Sequence, residues 1–154
     1  SLKEISKNKF DKIFISPGPG HPNSSGNCIN LVKHFYKTIP ILGICLGHQI
    51  IGAAFGGVIK KAKIIMQGKL SKIIHNGSFL FKKIPKNFYA TRYHSLIINE
   101  KTLNQDFEIS AKTEDNIIMA INHKIYHLYG IQFHPESIKT NFGNIIFKNF
   151  LKIK

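Results

Sequence analysis

The sequence predicts an α/β fold, a parallel sheet flanked by helices. Two observations carry this: a strand–loop–helix–strand–turn–helix order between Lys12 and Gly57, and short β-like runs from Val58 onward that end in an amphipathic helix. At 154 residues the chain is expected to form one domain, residues 1–154, long enough to bury a sizeable core.

The elements follow in order. "KFDKIFISPGPGHP" reads as a short strand, Lys12 to Ser16, running into a Gly/Pro loop. "SGNCINLVKHFYK" places Cys28, Leu31, Val32, Phe35 and Tyr36 at helical spacing. "IPILGIC" is an apolar strand, and "GHQIIGAAFGG" a short helix that stops at Gly56–Gly57. "VIKKAKIIMQGKLSKIIHNGSFLFKKI" contains short β-like runs divided by turn pairs such as Asn76–Gly77. "FYATRYHSLIIN", "FEISAKT", "NIIMAINH" and "YHLYGIQFHPES" continue in that style. "NFGNIIFKNFLK" closes as a helix with Phe142, Ile145, Ile146 and Phe150 on one stripe.

Composition excludes several classes. No apolar run reaches the length of a membrane span. The polar, lysine-rich start "SLKEISKNKF" is no secretory signal. Two cysteines without CxxC spacing give neither a disulfide framework nor a zinc site. The net charge of +14 invites a nucleic-acid reading, but 21 of the 22 basic residues are Lys and only Arg92 carries the planar fork that suits phosphate and base contacts. The lysines are scattered among 27 Ile and 13 Asn, a joint enrichment that an AT-rich coding sequence produces without any nucleic-acid partner.

Three motifs carry chemistry. "GICLG", between an apolar strand and a helix, has the Gly–x–Cys–x–Gly spacing of a nucleophile elbow. A tight turn there projects Cys45, aims the Leu46 N–H at a developing oxyanion, and sets the thiol at a helix N-terminus, which is expected to lower its pKa. A buried cysteine packed in a strand fits the pentapeptide equally well. In "FHPES", His134 and Glu136 fall on one face of an extended segment, as a base and its orienting carboxylate would; a polar surface turn is the alternative. "SPGPG", Ser16 to Gly20, supplies backbone N–H groups after a strand, or is an ordinary turn. Taken together, the three supply a nucleophile, an oriented base and a second oxyanion donor, each at a strand end.

"SPGPGHPNSSG", "GICLGHQ", "RYHSL" and "QFHPES", in that order, resemble the class I (triad) glutamine amidotransferases. The closest likeness is to the glutaminase components of anthranilate synthase and aminodeoxychorismate synthase, "RYHSL" being the discriminating piece. The resemblance implies a flavodoxin-like sheet flanked by helices. It implies a catalytic triad of Cys45, His134 and Glu136, and an oxyanion hole from Gly18 and Leu46. It implies glutamine contacts from Gly18, Pro19, Gly20, Gln49, Gln67, Ser95 and Leu96. No cofactor and no metal are implied. The implied partners are L-glutamine and a chorismate-using synthase subunit, component I of either enzyme, with no nucleic acid and no membrane; an inactive, purely regulatory amidotransferase-like subunit is the competing reading. Arg92, Tyr93 and the "GHP" after the oxyanion loop are candidate partner-facing residues, whereas His94 is expected to pack or serve an interface. Family members usually begin with a further strand and helix, which this chain, opening at Ser1, is expected to lack. The implied compartment is the cytoplasm, or the plastid stroma for an organelle-encoded chain.

Overall fold

The structure is a computed structural model that describes residues 1–154. Its centre is one seven-stranded sheet in the order β1-β2-β7-β6-β5-β3-β4. β1 (Ile13–Ile15), β2 (Ile41–Ile44) and β7 (Leu128–Ile131) run parallel. β6 (Ile118–His123), β5 (Phe107–Thr113), β3 (Ile59–His75) and β4 (Asn87–Ile98) extend the sheet in antiparallel pairs. The parallel core is therefore three strands wide, and the apolar runs after Val58 supply its third strand, β7, together with the four antiparallel strands beside it. What reads in sequence as short runs from Val58 to His75 is nearly all one 17-residue strand, its register shifted around Lys61–Met66 and Gln67–Lys69. Such shifts bend a strand without ending it.

Period-two alternation divides the core between the two faces of the sheet. Ile41 and Leu128 face α2 (Cys28–Phe35) and α3 (Leu46–Ala54), where Val32, Phe35, Ile50 and Ile51 are buried. Leu42 and Tyr129 face the opposite side, where Ile146 and Phe150 of α4 (Gly143–Leu151) pack with Phe81 and Phe133. Phe142 departs from the expected stripe. It sits just before α4 in a left-handed conformation (φ 59°) and stays partly exposed, because the chain turns there into the helix. The chain opens with α1 (Leu2–Lys7), capped by the Ser1 hydroxyl.

α3 lies unusually close to the sheet. A Cβ on Gly47 would come within 2.3 Å of the Ile15 carbonyl oxygen, so only glycine allows the first turn of α3 to rest on β1. That approach places the N-terminus of α3 directly beyond the C-terminal ends of β1 and β2, the usual position of sites in open α/β sheets.

Candidate active site

β2 ends at Ile44, and α3 starts at Leu46. Cys45 makes the whole reversal alone, at φ 54° and ψ −101°. A non-glycine residue held in that region marks a site over-determined by its surroundings. Its backbone N–H donates to the Ile131 carbonyl at 2.8 Å, locking the turn to β7. Its side chain is buried, and the thiol lies 3.5 Å from the Tyr93 carbonyl oxygen, to which it can donate.

A pocket of about 160 Å³ opens above this turn, lined by Gly18, Pro19, Gly20, Cys45, Leu46, Gln49, Tyr93, His94, Ser95 and Leu96. Three separate stretches meet here: the Gly/Pro loop after β1, the first turn of α3, and the "YHSL" segment of β4, which crosses over the strand ends. Gln49 holds that crossing, its Nε2 donating to the Leu96 carbonyl at 3.0 Å. Gln67 does not join the lining; it sits on β3 opposite Tyr93.

His134 and Glu136 follow β7 and stand beside the pocket rather than in its lining. His134 is fixed by its main chain: its N–H donates to the Thr91 carbonyl at 2.9 Å, and its carbonyl accepts from the Thr140 hydroxyl at 2.6 Å. Its Nδ1 contacts Glu136 Oε1 at 2.5 Å, leaving Nε2 buried and without a hydrogen-bond partner. A carboxylate on Nδ1 keeps the proton there and leaves Nε2 as the acceptor. The imidazole packs edge-on against Tyr93, with ring centroids 5.2 Å apart. Tyr93 thus touches both the thiol, through its carbonyl, and the imidazole, through its ring.

The electrostatics of Cys45 differ from the sequence expectation. Burial pushes the thiol up to about 11, outweighing the Leu46 N–H, which favours the thiolate; the Glu136 charge pushes in the same direction as burial, and the Gln132 amide opposes it weakly. A helix N-terminus stabilises an anion, but desolvation in a closed turn is the larger effect. At neutral pH burial therefore favours the neutral thiol over the thiolate.

Arg92 is also not where the sequence reading put it. It is 3% exposed and faces inward, Nε donating to His94 Nε2 at 3.0 Å and Nη1 to Ser71 Oγ at 3.1 Å. Along β4 the buried residues Phe88, Ala90, Arg92 and His94 alternate with the exposed Asn87, Tyr89, Tyr93 and Ser95. Only Tyr93 of the pair presents its side chain outward, 51% exposed. His94 is a neutral imidazole: Nε2 accepts from Arg92, so Nδ1 carries the proton and donates to the Leu96 carbonyl at 3.0 Å. Burial first, then the adjacent Arg92 charge, lowers its pKa to about 4.

Sequence reasoning missed Gln132. It is fully buried beneath the pocket, within hydrogen-bonding reach of both Gln49 and Cys45. A lone amide inside the apolar run "YGIQF" was the signal.

The family profile of "Glutamine amidotransferase class-I" matches residues 1–153. The chain is 51% identical over 153 residues to "Anthranilate synthase component 2" of Pyropia yezoensis, covering 99% of this chain and 79% of that one. It is 49% identical over 154 residues to "Bifunctional protein TrpGD" of Thermotoga maritima, all of this chain matching but spanning only 26% of that longer protein. Among solved structures, a putative GMP synthase subunit from Thermoplasma acidophilum superposes with a TM-score of 0.84 at 27% identity, over 95% of this chain and 73% of that one. The chain belongs to the class I glutamine amidotransferase family.

Proposed function

We propose that this class I glutamine amidotransferase is the glutaminase component of an anthranilate synthase, hydrolysing L-glutamine and delivering ammonia to a chorismate-using synthase subunit. The carrying observation is Cys45, held at φ 54° on the β2–α3 turn at the edge of a pocket, with His134 and Glu136 paired beside it.

In this reading glutamine enters the pocket with its side-chain carboxamide over Cys45, embraced by Gly18, Pro19, Gly20, Gln49, Ser95 and Leu96. His134 Nε2 takes the thiol proton as the sulfur leaves the Tyr93 carbonyl and attacks the carboxamide carbon. Because the resting thiol sits near 11, this transfer belongs to the attack itself rather than to a preformed thiolate. The oxyanion is met by the Leu46 N–H at the start of α3 and by the Gly18 N–H. His134 then protonates the departing ammonia and afterwards activates water on the γ-glutamyl thioester. Glu136 keeps its tautomer and stabilises its cation. Gln67, outside the lining on β3 opposite Tyr93, is the most remote of the candidate substrate contacts.

Likeness at about half identity to a protein named as anthranilate synthase component 2, across nearly the whole chain, supports the pathway and the partner. Exposed Tyr93, which touches both thiol and imidazole, is the natural point at which a docked synthase subunit senses the site. Two free cysteines suit a reducing compartment, the cytoplasm or a plastid stroma.

The test is glutamate release from glutamine with and without the synthase subunit. Cys45→Ser is expected to remove glutamine-dependent anthranilate formation while ammonia-dependent formation by the complex persists. Glutamate release that survives Cys45→Ser would show that another group is the nucleophile.

A further inference from the structure

Beneath the pocket floor runs a chain of four side-chain and main-chain groups whose direction can be deduced from one fixed end. The Leu96 carbonyl can only accept, so the Gln49 amide must turn its nitrogen toward it, at 3.0 Å. The same nitrogen lies 3.1 Å from the Gln132 side chain, so Gln132 must answer with its oxygen, Oε1. With Oε1 committed to Gln49, the Gln132 amide necessarily turns its NH₂ toward Cys45, where Nε2 stands 3.7 Å from Sγ. The orientation of both amides thus follows from a main-chain acceptor, not from a choice between nitrogen and oxygen. Gln132 is fully buried and Gln49 nearly so, so water does not compete for these contacts.

We propose that Gln132 is a positioning residue of the glutaminase reaction, acting through two neighbours. Toward Cys45 it offers an N–H donor that holds the sulfur in the turn and stabilises the negative charge arising there as the proton leaves. Toward the pocket it sets the polarity of Gln49: both hydrogens of the Gln49 amide are consumed, by Leu96 and by Gln132, so the free end is Oε1. Gln49 therefore meets the substrate as an acceptor, and suits an N–H of glutamine rather than its carboxylate. Specificity for an amide- and ammonium-bearing substrate and activation of the sulfur are consequences of one hydrogen-bond chain. The inference rests on the reading of Cys45 as nucleophile and adds a residue outside the triad.

The titratable groups around the sulfur are Tyr93 and His94 of β4, which line the same pocket, and the His134–Glu136 pair after β7, whose imidazole packs on Tyr93 and whose carboxylate charge reaches the thiol. His48 of α3 turns its ring toward Gly130 instead. Gln132 is neutral, so altering it changes the solvation of the sulfur without touching those groups.

The experiment measures iodoacetamide alkylation of Cys45 against pH, in a Cys28→Ser background so that one thiol reports. Gln132→Met keeps the volume and removes the donor: the midpoint of alkylation should rise by about half a pH unit, the rate at pH 8 should fall roughly threefold, and kcat for glutamate release should fall by a similar factor. Gln132→Glu keeps the outline and, once ionised, opposes the thiolate, so its midpoint should lie higher still. That variant decides the matter if Gln132→Met does not fold. A midpoint unmoved from wild type in the folded variants would overturn the positioning role. Glutamate release surviving in Cys45→Ser would instead overturn the reading of Cys45 as nucleophile, while the alkylation result would stand on its own.

Discussion

At the residue scale, two buried histidines convert the architecture of the site into a pH dependence of stability. His48 and His94 have folded-state values of about 3 and about 4, lowered from 6.5 chiefly by burial, with the Arg92 charge adding to the effect at His94. Between those values and 6.5 the unfolded chain binds protons that the folded chain refuses, so their stabilising contribution is complete above about pH 6.5 and is lost as pH falls. From pH 7 to pH 5 the loss is about 2 kcal/mol for each histidine. Urea unfolding at the two pH values checks this, and His94→Gln should remove about half of the drop; an undiminished drop in that variant would contradict the assignment. Cys45, the Gly18–Gly20 loop and the His134–Glu136 pair were legible because elbow, loop and dyad are local patterns. The height of the thiol pKa was not, because desolvation depends on β4 crossing over the strand ends, which no local pattern reveals. Arg92 was legible in principle. It lies two residues from Ala90 and from His94 on the alternating face of β4, and period two alone assigns it to the interior.

At the element scale, the segment carrying His134 is held between β4 and α4. Thr91 of β4 grips it from one side, directly and through Thr140 of the loop before α4, and α4 closes it from the other, where a Cβ on Gly143 would come within 1.8 Å of the Pro135 carbonyl oxygen. Gly143→Ala must therefore move either the first turn of α4 or the peptide between His134 and Glu136, at a cost of about 1–3 kcal/mol. Since the pocket beside Cys45, where glutamine is proposed to bind, is lined from β4, α3 and the loop after β1, KM should change little. The displaced imidazole should lower kcat roughly tenfold or more. Steady-state kinetics with the synthase subunit present separate the two parameters, and an unchanged kcat would show that α4 yields instead of the histidine segment. Elements of this kind were well read from sequence where periodicity was strong, as in α2, α3 and α4. They were poorly read where a strand bends: β3 looked like several short runs because Gly68 and the register shifts interrupt its alternation while its pairing with β4 continues.

At the scale of the whole molecule, the dominant long-range property is charge. Twenty-two basic side chains face eight acidic ones, giving +14. Beyond the Ser1 terminus and the His134–Glu136 dyad, the ion pairs are Lys72–Glu114 and Lys112–Glu100, each with an exposed carboxylate. Exposed pairs contribute little, each about 0–1 kcal/mol, and salt weakens them. The repulsion among the remaining lysines is spread over the surface and opposes the compact state, and salt weakens that as well. The two effects have opposite signs, so ionic strength discriminates between them. With two such pairs set against an excess of fourteen positive charges, relief of repulsion prevails. Raising sodium chloride from 10 to 300 mM shortens the screening length from about 30 Å to less than 10 Å, below the separation of most surface lysines on opposite sides of the sheet. The melting temperature should rise, by about 2–4 °C for each 1 kcal/mol of repulsion removed in a domain of this size. A fall on adding salt would mean that attractive pairs outweigh the excess charge. Scanning calorimetry across the salt series, repeated with Lys72→Gln, tests the balance directly: removing a cation that has a partner should still leave the positive slope in place, because that slope is set by the lysines that have none.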